Sequence, residues 1–197
     1  QDAYRVAASL SHLEIRGIHI HIGSQITDTA PFAKAVEQAL TVIDDLRVEG
    51  IEIGTLDIGG GLGIPYEDKP VPGPAELAAA LDPLIKGKDL KLILEPGRSL
   101  IGPAGVLLVT VLYVKETSAQ TFVVVDGAMT DLVRPAFYNA YHRVIPVKRR
   151  EGDEKPVDIV GPVCESADAF ARGRALPPVE PGDLLAIMDA GAYGYAM

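Results

Sequence analysis

Polar side chains in this chain of 197 residues stand directly after short apolar runs. His19 and His21 flank Ile20 in the run IRGIHIHI, so both point to one face of a strand, and Ser24 follows them. The two histidines could bind a metal, but no third histidine or carboxylate lies nearby in the sequence, and a packing role is more common; no metal is predicted. At the strand end, His21 could stack on an aromatic ligand while the Ser24 hydroxyl binds a phosphate oxygen.

A run of glycines, Gly59, Gly60 and Gly61, follows the short predicted strand 55–58. Glycine permits positive φ and lets backbone N–H groups approach an anion closely, which suits a phosphate. The run lacks the Gly-Lys-Ser/Thr of a nucleotide P-loop and the spacing of a dinucleotide fingerprint. A tight structural turn explains it equally well.

The segment Glu95-Pro96-Gly97-Arg98 ends the apolar run 91–94. A carboxylate and a guanidinium at the end of a buried strand need partners, because unpaired buried charge is costly. The two groups could bind a charged ligand or pair with each other.

The segment CESAD (residues 164–168) follows Gly161-Pro162 on a turn that we expect to lead into a short helix. A cysteine at the start of a helix can act as an acid or a nucleophile. A lone cysteine is more often an inert small apolar residue. Both roles stay open for Cys164 on this pattern.

The elements that must position these residues alternate in the first half of the chain. Apolar or β-branched runs at 15–22, 55–58 and 91–94 are separated by amphipathic segments at 32–43 and 75–85, and Thr29 is a candidate cap for the first. This order predicts a parallel sheet covered by helices. The polar clusters then lie at the carboxyl ends of strands, where α/β barrels and open sheets bind ligands.

From about Gly105 the pattern changes to apolar runs separated by proline, glycine and charged turns. These runs are 106–114, 121–126, 157–160 and 184–189. No long helical pattern separates most of them, which predicts a largely antiparallel β domain. The expected fold class is therefore α/β plus β, with one domain over residues 1–104 and a second over 105–197.

Composition excludes several kinds of partner. The formal net charge of −9 disfavours binding to nucleic acid or to anionic lipid. The most apolar stretch, residues 104–114, is too short to span a bilayer, and the opening residues do not predict a secretory leader. The single cysteine excludes a disulfide framework and suits a reducing compartment. We expect a cytoplasmic protein with a small-molecule ligand, and no nucleic-acid or membrane partner.

Taken in order, six motifs resemble the diaminopimelate decarboxylases, in the alanine-racemase-like group (fold type III) of pyridoxal-phosphate enzymes. They are GIHIHIGSQI (17–26), DIGGGLG (57–63), EPGRSL (95–100), DGAMTDLVRPAFYNAYH (126–142), GPVCESAD (161–168) and DAGAYGYAM (189–197). The resemblance covers the whole chain. It implies that residues 1–104 are the C-terminal part of a (β/α)8 TIM barrel that binds pyridoxal 5′-phosphate. Residues 105–197 would be a β domain that is incomplete at its end.

The resemblance also implies a role for each cofactor-binding position. His21 would stack on the pyridine ring, while Ser24 and the three glycines would hold the phosphate. Glu95 would pair with the pyridinium nitrogen, with Pro96, Gly97 and Arg98 beside it. Tyr193 resembles a residue that touches both the phosphate and the substrate.

The implied substrate is an amino acid with two carboxylates, which Arg98 and Arg134 would bind in forks. Tyr138, Glu165 and Tyr193 complete the implied substrate set, with Glu165 at the distal ammonium. Cys164 resembles the general acid that returns a proton to the α-carbon. In this family the cysteine is contributed across a homodimer interface, which places the active site between two subunits.

The chain departs from the family pattern at one essential position. The family's Schiff-base lysine stands in a Tyr-Ala-x-Lys-Ala-Asn setting, which none of the lysines here shows (34, 69, 86, 88, 91, 115, 148, 155). We therefore expect a partial copy that makes L-lysine from meso-diaminopimelate only as part of a longer enzyme, and that is inactive alone. The alternatives are a related decarboxylase of ornithine, lysine or carboxynorspermidine, and a non-catalytic ligand-binding or assembly module.

Overall fold

A computed structural model describes residues 1–67 and 69–197 and divides into two compact units. Unit 1 comprises Gln1–Ile64 and Pro70–Ser99, and unit 2 comprises Pro65–Lys69 and Leu100–Met197. Among the described residues, no helix combines the length and the hydropathy that crossing a bilayer requires.

Unit 1 contains three short parallel strands joined by helices. Its elements are α1 (Asp2–Ala8), β1 (Gly17–His19), α2 (Ala30–Val48), β2 (Thr55–Asp57), α3 (Pro74–Ile85) and β3 (Lys91–Ile93), and α4 (Arg98–Ile101) begins at its end. The strands lie in the order β1-β2-β3, with His19 in register with Asp57 and Asp57 with Ile93. The order strand, helix, strand, helix, strand is as predicted.

Strand β1 is shorter than the apolar run that predicted it. The N–H of Ile20 still donates to the carbonyl of Asp57, at 2.8 Å. Gly23 then adopts a φ of +133°, which ends the extended conformation and turns the chain over the strand ends. His21 consequently lies in the loop beyond the sheet, together with Ser24, rather than in the strand.

Helix α2 buries one face of Phe32, Val36, Leu40 and Ile43 against the sheet of unit 1, as its three- and four-residue spacing predicts. Thr29 occupies the N-cap position, but its side chain makes no capping bond. The carboxylate of Asp28 instead accepts from the N–H of Ala30, at 3.0 Å. The helix ends in a Schellman arrangement, in which Gly50 has a φ of +79° and the N–H of Ile51 donates to the carbonyl of Leu46.

Unit 2 is a sheet domain. Its elements are β4 (Leu107–Glu116), β5 (Thr121–Val125), α5 (Arg134–Tyr138), β6 (Val144–Pro146), β7 (Lys155–Val160), β8 (Ala169–Leu176) and β9 (Leu184–Ile187). The strand order is β6-β9-β4-β5-β7-β8. Strands β5 and β7 pair in parallel, and the neighbouring pairs described in this sheet are antiparallel. Valine, leucine and isoleucine side chains from β4, β5, β7 and β9 form its core.

The short helix expected after Cys164 is absent, and that prediction was wrong. Residues 161–168 form an irregular turn, and β8 begins at Ala169. The sequence of β8, AFARGRAL, is rich in alanine and arginine, which favour helices, and contains no β-branched residue. Pairing with β7 from Val160 to Lys155 decides its conformation. Tertiary contacts here override the local preference.

Candidate active site

The ends of the three parallel strands bring the predicted cofactor residues of unit 1 together. His21, Gly59 and Glu95 each stand two positions after the last residue of a strand, which is β1, β2 or β3 respectively. The N–H of Gly60 donates to Nδ1 of His21 at 3.3 Å, and the N–H of Glu95 donates to the carbonyl of Gly59 at 2.8 Å. An imidazole, a glycine turn and a carboxylate are therefore neighbours at one edge of the sheet.

The glycine run is packed so closely that no side chain fits in it. A Cβ on Gly59 would overlap the carbonyl oxygen of Ile20, one on Gly60 that of Glu95, and one on Gly61 that of Gly23. Gly59 and Gly61 also have φ values of +69° and +107°. The structural-turn interpretation is sufficient to explain all three glycines, and their contact with a phosphate stays a prediction.

Ser24 and Arg98 lie in direct contact at this edge, since Nη2 of Arg98 donates to the Ser24 hydroxyl at 3.0 Å. Pro96 and Gly97 connect Glu95 to Arg98, the first residue of α4. A guanidinium and a hydroxyl side by side, next to a glycine turn, form a donor set suited to an anion such as a phosphate.

His19 has carboxylate neighbours that its sequence surroundings do not show. Its Nε2 lies 3.5 Å from a carboxylate oxygen of Glu95, and potential ligand atoms of His19, Asp57 and Glu95 lie within 4.8 Å of one another. Asp57 also accepts from the N–H of Gly59 at 2.8 Å, which fixes the start of the glycine turn. The register of the parallel sheet brings these groups together, so a search along the sequence cannot find them.

In unit 2, Arg134 is buried although it carries a charge. It is 7% exposed, its Nη1 lies 2.8 Å from Nε2 of His142, and its Cζ lies 4.8 Å from the centre of the Tyr66 ring. Because a guanidinium only donates, Nε2 of His142 accepts, and Nδ1 carries the proton that it donates to the carbonyl of Met188 at 2.8 Å. A neutral, fully buried histidine therefore fixes Arg134.

The role of His142 was not anticipated, although it lies in the same motif as Arg134. Eight positions separate it from Arg134, and α5 with the loop that follows brings them together. Its other partner, Met188, lies after β9. In the sequence, the sign that pointed to His142 was its position as the last residue of the motif 126–142.

Three aspartates organise the loop of residues 126–131, which precedes α5. The N–H of Thr110 donates to Asp126 at 2.6 Å and holds the pKa of that carboxyl below its ordinary value. Asp131 accepts from the N–H of Ala128 within the loop, at 2.8 Å. Asp168, the last residue of the 161–168 turn, accepts from the N–H of Met129 in this loop.

The remaining predicted residues of unit 2 are accessible. Cys164 and Glu165 are exposed on the 161–168 turn. Tyr138, at the end of α5, is 57% exposed, and Tyr193 is 47% exposed with a φ of +56°. The candidate residues therefore belong to different units. Unit 1 contains His21, Ser24, Gly59 to Gly61 and the segment from Glu95 to Arg98, and unit 2 contains Arg134, Tyr138, Cys164, Glu165 and Tyr193.

A family model of the pyridoxal-dependent decarboxylases, describing their C-terminal sheet domain, matches residues 11–191. The chain therefore belongs to the pyridoxal-dependent decarboxylase family. Over 199 aligned residues and its whole length, it is 48% identical to the diaminopimelate decarboxylase of Aquifex aeolicus, of which it covers 47%. The chain spans about half the length of the curated relatives it matches.

Two solved structures match the chain at different levels of sequence identity. The diaminopimelate decarboxylase of Methanocaldococcus jannaschii in complex with L-lysine matches with a TM-score of 0.95 and 44% identity. The alignment covers all of this chain and 46% of that one. The lysine/ornithine decarboxylase of Vibrio vulnificus, complexed with cadaverine, matches with a TM-score of 0.88 and 26% identity, over 98% of this chain and 54% of that one.

Proposed function

We propose that the chain is part of an enzyme that decarboxylates meso-2,6-diaminopimelate to L-lysine with pyridoxal 5′-phosphate. The observation that carries the proposal is the set of groups at the carboxyl ends of β1, β2 and β3. There, hydroxyl and guanidinium donors lie beside a glycine turn and a carboxylate. The substrate rests on the relatives, since identity is 48% to a diaminopimelate decarboxylase and 26% to a lysine/ornithine decarboxylase.

Unit 1 would then be the C-terminal part of a TIM barrel. Parallel strands with helical crossovers and ligand groups at the carboxyl ends of the strands support this assignment. In such a barrel, further parallel strands would pair beside β1 and β3. The β domain would correspond to unit 2.

The chemistry of the residues at the strand ends of unit 1 suits the cofactor. Ser24, together with the backbone of the glycine turn, would bind the phosphate, and Arg98 lies against Ser24 to neutralise it. Glu95 would hold a proton at the pyridine nitrogen, and the flat ring of His21 would stack on the pyridine. When bound, the cofactor acts as a sink for the electrons that the departing CO2 leaves on the α-carbon.

Unit 2 would bind the substrate and supply the proton. Arg134 is held in one orientation by His142, which suits the forked contact that a guanidinium makes with a carboxylate. Glu165 would bind the distal ammonium, with Tyr138 and Tyr193 beside the substrate. Cys164 would deliver a proton to the α-carbon from the partner subunit of a homodimer.

A substrate panel tests the proposal. The longer protein that contains this chain should release CO2 from meso-diaminopimelate and form L-lysine, with ornithine, lysine and carboxynorspermidine as poor substrates. Faster turnover of ornithine or lysine would favour the related decarboxylases instead. Binding of diaminopimelate without any CO2 would identify a non-catalytic module.

An active site shared between two subunits leads us to expect that two inactive variants complement each other. In an equal mixture of Cys164→Ala and a variant without the Schiff-base lysine, hybrid dimers form. One of the two sites in each hybrid combines the lysine of the first variant with Cys164 of the second and is therefore complete. Random exchange in a two-fold dimer should restore about a quarter of the wild-type sites. The measurement is CO2 release after dissociation and reassociation, with each variant alone as its control. If hybrid dimers form and activity stays absent, Cys164 does not act across the interface.

A further inference from the structure

We propose that Asp168 is the positioning residue that holds Cys164 and Glu165 in place. The proposal rests on the proposed function, which gives those two side chains their roles. Cys164 and Glu165 lie on an irregular turn rather than on a helix or strand. Their placement therefore depends on whatever fixes that turn.

The carboxylate of Asp168 connects two loops of unit 2. Asp168 is 4% exposed. One oxygen accepts from the N–H of Met129 at 2.6 Å, and the other accepts from the N–H of Val163 at 2.8 Å. Met129 belongs to the loop that leads to Arg134, and Val163 immediately precedes Cys164. The Asp168 side chain therefore connects the turn that carries Cys164 and Glu165 to the loop that precedes Arg134.

The backbone of Asp168 closes the same turn. Its N–H donates to the carbonyl of Glu165 at 3.0 Å, and its carbonyl accepts from the N–H of Gly161, also at 3.0 Å. A side chain at position 161 would overlap the Asp168 carboxylate, so glycine is required there for the carboxylate to enter the turn. Hydrogen bonds from backbone N–H groups to a carboxylate are shorter and stronger than those between neutral groups.

Asp183 offers a matched control within the same unit. Its carboxylate also closes a turn, by accepting from the N–H of Glu180 at 2.8 Å, and it also binds Arg150. Its side chain is 16% exposed. That turn carries none of the candidate site residues. Asp183→Asn therefore removes a comparable turn-closing carboxylate without affecting the proposed position of Cys164.

The first measurement needs no activity. In this 197-residue chain Cys164 is the only cysteine, so its alkylation rate with iodoacetamide reports on the 161–168 turn. We expect Asp168→Asn to change that rate and to speed hydrogen exchange at the N–H groups of Met129 and Val163. Asp183→Asn should leave all three values at the wild-type level. Unchanged alkylation and exchange in Asp168→Asn would overturn the proposal, whatever reaction the protein catalyses.

The second measurement uses the longer enzyme, with rates divided by the amount of bound cofactor. We expect Asp168→Asn to lower kcat/KM for diaminopimelate by about tenfold to a hundredfold, since small misplacements of a reacting group have effects of this size. Cofactor affinity should stay the same. An equal loss in Asp183→Asn would show a general structural role and refute the positioning role.

A second variant covers the case in which Asp168→Asn does not fold. Gly161→Ala keeps the Asp168 carboxylate but places a methyl group where that carboxylate lies, so the carboxylate must move. This variant should therefore produce the same changes in the alkylation rate of Cys164 and in kcat/KM. Wild-type behaviour of this variant would contradict the proposal. If the wild-type enzyme releases no CO2 from diaminopimelate, the proposed function fails, while alkylation and exchange still decide the anchoring of the turn.

Discussion

Reduction with borohydride in the presence of pyridoxal 5′-phosphate is expected to leave no single labelled lysine in the 197-residue chain. The same chain should release no CO2 from diaminopimelate. In the proposed enzyme, a lysine at the ligand edge of the sheet would anchor the cofactor. The lysine nearest to Glu95 in the sequence, Lys91, opens β3 at its opposite end. Four residues of extended chain separate the two by roughly 13 Å. Lys34 lies in α2, and the others lie near strand ends or in turns.

Peptide mapping by mass spectrometry measures the first outcome, and CO2 release the second. The longer enzyme, treated in the same way, should carry one labelled lysine outside this segment. Lys91→Arg serves as the matched control in the short chain, because it removes one amine and should leave the diffuse labelling of the other lysines unchanged. A single labelled lysine within residues 1–197, accompanied by turnover, would mean that the chain holds its own anchoring residue.

Replacement of Arg134 by alanine should reduce catalytic efficiency much more than it reduces cofactor affinity. A hydrogen bond to a charged group contributes about 1.5–3 kcal/mol, so we expect kcat/KM for diaminopimelate to fall by about tenfold to a hundredfold. Arg134→Lys should recover little of this loss, because lysine keeps the charge but cannot form the fork. Steady-state kinetics and a cofactor titration measure the two quantities.

Arg174→Ala is the control for a loss of packing. Arg174 also stacks on a tyrosine, with its Cζ 3.9 Å from the centre of the Tyr141 ring, and it donates to the carbonyl of His142 at 2.9 Å. It has no predicted contact with the substrate, so its removal should change stability more than kcat/KM. Equal losses of catalytic efficiency and cofactor affinity in Arg134→Ala would make Arg134 a structural residue or a phosphate ligand.

The order of elements in unit 1 could be predicted because each apolar run has the period of the element it forms. Helix α2 shows this best, since its buried residues recur every three or four positions and Gly50 marks its end. Strand β8 could not be predicted in this way. Its alanines and arginines favour a helix, and only its pairing with β7 makes it a strand.

The same distinction holds for the candidate site. The motif residues were identified from their order along the chain, and for unit 1 the sheet register then explains why His21, the glycines and Glu95 are neighbours. His142 and Asp168 act through backbone groups that carry no sequence signal, such as the carbonyl of Met188 and the N–H of Met129. Contacts of this kind become visible only in three dimensions.

The close packing of the glycine run affects how genetic data on this family member should be interpreted. An alanine at Gly59, Gly60 or Gly61 would push apart the ends of neighbouring strands before any ligand arrives. Loss of cofactor in such a mutant would therefore report a damaged sheet edge and would say nothing about phosphate contacts. Ser24 is the informative position, because Ser24→Ala removes one hydroxyl and leaves the backbone in place. Selection against substitutions in the glycine run would likewise persist in a descendant that had lost the cofactor altogether.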